Sequence, residues 1–137
     1  MGHEAVAFAG AIGQPDAHSG ELPCTYVELV DGAEISEAEL LDYANENIKE
    51  PGAKPKHLEV LDELPKTAVG KVFKPDLRKM AITRVYNEAL LAKQTDAKVT
   101  AVEDNKKLGL TAKVNGAASD EEIGAALQDF AGAWERA

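Results

Sequence analysis

Glu63-Leu64-Pro65-Lys66-Thr67-Ala68-Val69-Gly70-Lys71-Val72 carries the decisive reading of this chain. An apolar, strand-like run (His57–Leu61) precedes it, and a helix-like run opening at Pro75 follows it. Strand, tight turn and helix in succession point to a mixed α+β domain. Pro65 and Gly70 punctuate a specific loop, and loops held by rigid flanks are where proteins place chemistry. The loop carries two lysines. An ammonium there is a compact charge with three donors, suited to a phosphate or a carboxylate. Spacing alone favours a solvated surface lysine in a hairpin-like turn.

Working outward, residues 4–12 read as a largely apolar strand, 13–23 as a loop rich in turn residues, and 24–30 as a second strand. Ser36-Glu-Ala-Glu39 is a capping box opening a helix whose face holds Leu40, Leu41, Ala44 and Ile48, ended by Pro51-Gly52. The helix after Pro75 places Leu77, Ile82, Val85 and Leu90 on its apolar face. Lys98–Val102 and Leu108–Val114 suggest a hairpin across Asp104–Lys107. Ser119-Asp-Glu-Glu122 is a second capping box, with Ile123, Leu127, Phe130 and Trp134 at helical spacing. Trp134 reads as a core or docking anchor. The expected fold is α+β, a small mostly antiparallel sheet flanked by helices, with an additional C-terminal hairpin and helix.

Composition bounds the function. At 137 residues with 45% apolar content, the chain can bury its own core. No apolar run approaches the roughly 20 residues of a membrane span, and no signal peptide is visible. The single cysteine, Cys24, excludes an internal disulfide and fits a reducing, cytoplasmic setting. In its strand-like run it reads as a buried hydrophobe. Charge is uneven: residues 1–45 hold nine acids and no base, residues 46–84 nine bases against six acids, and residues 85–137 six bases against nine acids. The one basic stretch therefore surrounds Lys71, where it can draw an anion or form a solvated helix face. An acidic pI near 4.8 and the lack of interleaved aromatics argue against nucleic acid. His3, His18 and His57 are scattered, so no metal site is expected.

Leu64-Pro-Lys-Thr-Ala-Val-Gly-Lys71 resembles the P-K-T-x-x-G-K signature of acyl- and aryl-CoA synthetases, members of the adenylate-forming superfamily. Further matches run in the family's order: His3-Glu-Ala-Val6, Gly13-Gln-Pro-Asp16, Gly20-Glu21-Leu-Pro23, Ile35-Ser-Glu-Ala-Glu-Leu40 and Pro55-Lys-His-Leu-Glu-Val-Leu-Asp-Glu-Leu-Pro65. The resemblance covers residues 3 to about 80. It implies that residues 1–82 are the mobile C-terminal lid of an AMP-forming enzyme, hinged to an N-terminal adenylation domain of the same polypeptide that binds ATP, Mg2+ and the acid. It implies that Lys71 is the lysine required for adenylation, that Pro65, Thr67 and Gly70 shape its loop, and that Gly20 and Glu21 shape a loop near CoA. In relatives, acetylating the residue matching Lys71 switches adenylation off, so a lysine acetyltransferase is an expected partner. Lys66 reads as a solvated charge or part of the surface such an enzyme reads. The expected acid is fatty or otherwise medium to long, and the isolated fragment is expected to be inactive.

Three departures matter. Several relatives carry a CoA-contacting arginine where this chain has Ser19, beside His18. Many carry a lysine where this chain has Ala53, leaving Lys54 as a substitute CoA contact. The family's hinge would lie before residue 3, so Met1-Gly2 reads as an artificial start and the chain as an excised domain. Residues 83–137 continue past the point where most relatives end, and are expected to pack on the same domain. Besides the lid, a freestanding non-catalytic adaptor of the same fold stays open, as does a subunit lending Lys71 to a separate chain.

Overall fold

A computed structural model of the protein describes residues 3–49 and 54–137. Its elements run β1 (Val6–Asp16), β2 (Gly20–Leu29), α1 (Glu37–Asn47), β3 (His57–Leu61), α2 (Lys74–Ala92), β4 (Lys98–Asn105), β5 (Gly109–Asn115), α3 (Asp120–Leu127) and β6 (Ala133–Arg136). They form two three-stranded sheets, ordered β1-β2-β3 and β4-β5-β6. The fold is α+β, as the sequence suggests. Two compact units result. One runs up to Gly13 and resumes over Leu22–Leu77; the other comprises Gln14–Glu21 and Arg78–Ala137.

In the first unit, β2 pairs in parallel with β3, Cys24 opposite His57 and Val27 opposite Val60. Val27, Leu40 and Leu58 are buried together, with Val6, Ile35, Leu41 and Val60 packed around them. Helix α1 thereby covers one face of the sheet. Ser36 caps it, accepting from the Glu39 N–H at 3.1 Å. Its first-turn Glu37 accepts from the Val60 N–H of edge strand β3 at 2.7 Å, satisfying a donor that an unpaired edge would leave to water.

In the second unit, β4 and β5 pair antiparallel with a register shift between Val99 and Ala101. The Asn87 carboxamide of α2 meets this irregularity, accepting from the Val99 N–H at 2.7 Å. Val85, Tyr86, Leu90, Val99, Val102, Ala112, Val114, Ile123 and Leu127 form its core. Ser119 and Glu122 cap α3 reciprocally, side chain to backbone N–H, at 3.2 Å each way.

Two expectations change. The run 13–23 is largely strand rather than loop, because turn chemistry concentrates at Asp16–Gly20. The Asp16 carboxylate accepts from the N–H of His18 (3.1 Å) and Ser19 (2.9 Å), and Gly20 takes φ +86°. A three-residue connection of this kind makes β1 and β2 an antiparallel hairpin. The last helix ends at Leu127, and Trp134 lies on β6, paired in parallel with β5 opposite Ala112. Ile123, Leu127, Phe130 and Trp134 do share one core, but the helix stops at Leu127 and a short turn leads into β6. A Cβ at Gly132 would collide with the Tyr86 hydroxyl. The readings on Met1-Gly2, Pro51-Gly52 and Ala53 lie outside the described residues.

Candidate functional site

Leu64 through Phe73 fold as a small hairpin between β3 and α2. Lys66 and Val72 form an antiparallel bridge. Nearer the tip, the Thr67 N–H donates to the Lys71 carbonyl at 2.7 Å, and the Gly70 N–H to the Thr67 carbonyl at 2.9 Å. Ala68, Val69 and Gly70 thus make a three-residue loop, with Gly70 at φ +84° in the left-handed position such loops require. The Lys71 N–H also reaches Thr67 Oγ1 at 3.3 Å, and the Phe73 N–H donates to the Pro65 carbonyl at 2.7 Å. Pro65, Thr67, Gly70 and Lys71 therefore belong to one hydrogen-bonded turn.

Successive pairs of a hairpin face opposite sides. Lys66 and Val72 are partly buried, whereas Thr67 and Lys71 are exposed. Lys66 Nζ lies 2.7 Å from Glu28 Oε1 on β2 and 4.4 Å from the centroid of the Phe8 ring on β1. The same Glu28 oxygen accepts from the Leu64 N–H at 2.9 Å. Only 19% of the Lys66 side chain and 17% of the Glu28 side chain are exposed, so the reading of Lys66 as a solvated charge is corrected. Its ammonium is held by a carboxylate and an aromatic face. The Lys66 hydrogen bond, aided by the Leu64 N–H, holds the Glu28 carboxyl below its usual range. Val72 rests on β1 at Gly10, where an added Cβ would lie 3.0 Å from Val72 Cγ1.

With Lys66 and Val72 turned inward, Lys71 points outward. Among the described residues no ion pair engages its ammonium. The other residues singled out from sequence do not join this hairpin. Lys54 is half-buried ahead of β3. Gly20 and Glu21 are exposed at the hairpin tip assigned to the second unit. At that tip the Ser19 hydroxyl donates to the Asp16 carboxylate at 2.8 Å, and these Ser19 and His18 bonds hold the Asp16 carboxyl below its ordinary value.

Sequence reasoning missed Glu28, Phe8 and Gly10. A signal existed for Glu28. It continues the alternation of buried Cys24 and Tyr26, and a carboxylate on a buried face requires a partner. No group of three or more His, Cys, Asp or Glu among the described residues is arranged to hold a metal ion, and none of their helices is long and apolar enough to cross a membrane.

The strand–hairpin–helix segment thus presents Lys71 on its exposed side, in no ion pair among the described residues. A family model described as the AMP-binding enzyme C-terminal domain matches residues 1–71, and the chain belongs to that family. The marinolic acid–CoA ligase of a Pseudoalteromonas strain is 42% identical over 92 residues, 67% of this chain and 14% of that protein. The peroxisomal trans-cinnamate:CoA ligase of Petunia hybrida is 40% identical over 80 residues, 58% of this chain and 14% of that protein. Among solved structures, ATP-bound MatB from Rhodopseudomonas palustris aligns with TM-score 0.51 at 31% identity, covering 56% of this chain and 15% of that one. The Brucella canis acyl-CoA synthetase aligns with TM-score 0.50 at 29% identity, covering 68% and 16%. The chain thus spans about one-seventh of the length of these relatives.

Proposed function

We propose that this chain acts as the mobile lid of an AMP-forming acyl-CoA synthetase and that Lys71 is its adenylation lysine. The observation supporting this reading is that Lys71 is exposed and in no ion pair among the described residues, on a hairpin whose other lysine is tied down. In the reaction, a carboxylate oxygen attacks the α-phosphorus of ATP and the bond to pyrophosphate breaks, giving acyl-adenylate. Thiol sulfur of CoA then attacks the acyl carbon, and AMP leaves with the electron pair of the C–O bond. Joining a carboxylate to a phosphate brings two anions together. At ~4 Å a cation interacts with one such charge by about 4 kcal/mol at an effective dielectric near 20, enough to matter to the barrier. Lid rotation would carry Lys71 in for adenylation and away for thioester formation.

ATP and the acid would bind mainly to an N-terminal adenylation domain, with Mg2+ held there by its own ligands. Lys54 is the proposed CoA contact, and Gly20 and Glu21 shape the neighbouring turn. The acid is read as fatty or otherwise medium to long, and the setting as cytoplasmic. An exposed Lys71 also suits modification by a lysine acetyltransferase, which would remove the charge that the first step uses. The test is Lys71→Ala in the parent enzyme. Adenylate formation, followed by pyrophosphate exchange, should fall by about 10²–10³, while thioester formation from supplied acyl-adenylate persists. Equal loss of both steps would assign Lys71 to the fold instead.

A further inference from the structure

We propose that Glu28 and Lys66 form a positioning pair that fixes which face of the hairpin carries Lys71. The inference rests on the adenylation reading for its consequence in catalysis, though not for its structural content. Glu28 Oε1 accepts from two groups on one leg of the hairpin: the Leu64 N–H at 2.9 Å and Lys66 Nζ at 2.7 Å. Lys66 Nζ also lies 3.4 Å from the Leu64 carbonyl and over the Phe8 ring. Strand β2 thus grips the ascending leg through a charge, and β1 receives the descending leg through Val72 at Gly10. With both members of the Lys66–Val72 bridge committed inward, the next pair, Thr67 and Lys71, must face outward.

A one-residue slip in a hairpin exchanges its two faces. Here that slip would bring a different residue opposite Glu28, either Pro65, which has no ammonium, or Thr67, whose hydroxyl is shorter. The carboxylate therefore selects the register by rejecting the alternatives, since a half-buried charge without a cation is costly. Lys66 has a charge like that of Lys71 but a different use. It touches neither nucleotide nor acid in this scheme and acts through the residue five positions on. Arginine at 66 would preserve a cation able to meet both Glu28 and an aromatic face.

The experiment takes Lys66→Met, Glu28→Gln and Lys66→Arg in the 137-residue chain and in the parent enzyme. In the chain, amide exchange by two-dimensional NMR reports the hairpin through Thr67 and Phe73, and the β4–β5 pairing through Val102 and Val114. Lys66→Met and Glu28→Gln should speed exchange at Thr67 and Phe73 by about tenfold, leave Val102 and Val114 unchanged, and be largely reversed in Lys66→Arg. In the parent enzyme the same two variants should slow adenylation about tenfold and spare thioester formation from supplied acyl-adenylate, with Lys66→Arg near wild type. Unchanged exchange at Thr67 and Phe73, or equal slowing of both half-reactions, overturns the positioning role. If hairpin exchange rises while Lys71→Ala leaves adenylation intact, the pair still sets the register and the adenylation reading of Lys71 fails.

Discussion

Replacing Gly10 by alanine tests how the hairpin is seated on the sheet. A Cβ at Gly10 would stand 2.5 Å from Leu77 Cδ1 and 3.0 Å from Val72 Cγ1, both inside normal van der Waals separation. Leu77 is fully buried in the first turn of α2, so its side chain has no solvent to move into. Overpacking of this kind costs typically 1–3 kcal/mol. Gly10 is absent from the positive-φ glycines, so alanine meets no backbone penalty there and recovers about 0.4–1 kcal/mol of unfolded-state entropy. The net expectation is a loss of about 1–2 kcal/mol. Denaturant titration followed by NMR at Val27 and Leu58 would read it as a lower midpoint with unchanged slope. Adding Leu77→Val should recover part of the loss, since trimming the obstructing methyl relieves the clash. A neutral or stabilising Gly10→Ala would refute the close approach of Leu77 and Val72 to β1.

Two further outcomes follow from the Glu28–Lys66 contact. Because the folded-state Glu28 pKa lies below its ordinary 4.5, its stabilising share is fully present above that value and is lost as pH falls through the lowered one. Acid titrations of wild type should therefore show a stability decline that flattens in Glu28→Gln, and identical profiles would remove this assignment. An amine-selective acetylating reagent should modify Lys71 well before Lys66, read by peptide mass, because Lys71 is exposed and in no ion pair among the described residues, whereas Lys66 is held by Glu28. Equal rates would mean the Lys66 ammonium is as free as its neighbour.

The legible parts of the fold were those written in local chemistry. Ser36 and Ser119 announced helix starts, Pro65 and Gly70 the hairpin, and the motif order around Lys71 the family. Non-local pairings were less visible. Nothing in the periodicity of Ile123, Leu127, Phe130 and Trp134 separates a helix from a helix, turn and strand facing one core. Parallel partners such as Thr111 and Ala133 are joined by contacts that no window of sequence contains. The turn at Asp16 was hidden by its flanks: Pro15 and Pro23 read as loop residues yet lie in strands. At the site, Lys71 stood out because its neighbours match a motif, whereas Glu28 is 38 residues from the lysine it holds.

The carboxylate knot at Asp16 has a bearing on engineering. Three hydrogen bonds from His18 and Ser19 already converge on one of its oxygens, and Glu21 adds a second negative group close by in sequence. An arginine grafted at position 19, to mimic the relatives that have one, would find an anion waiting within its own turn. The guanidinium would fold back onto Asp16 before meeting any phosphate. A productive graft therefore begins by neutralising Asp16, with the new cation introduced second.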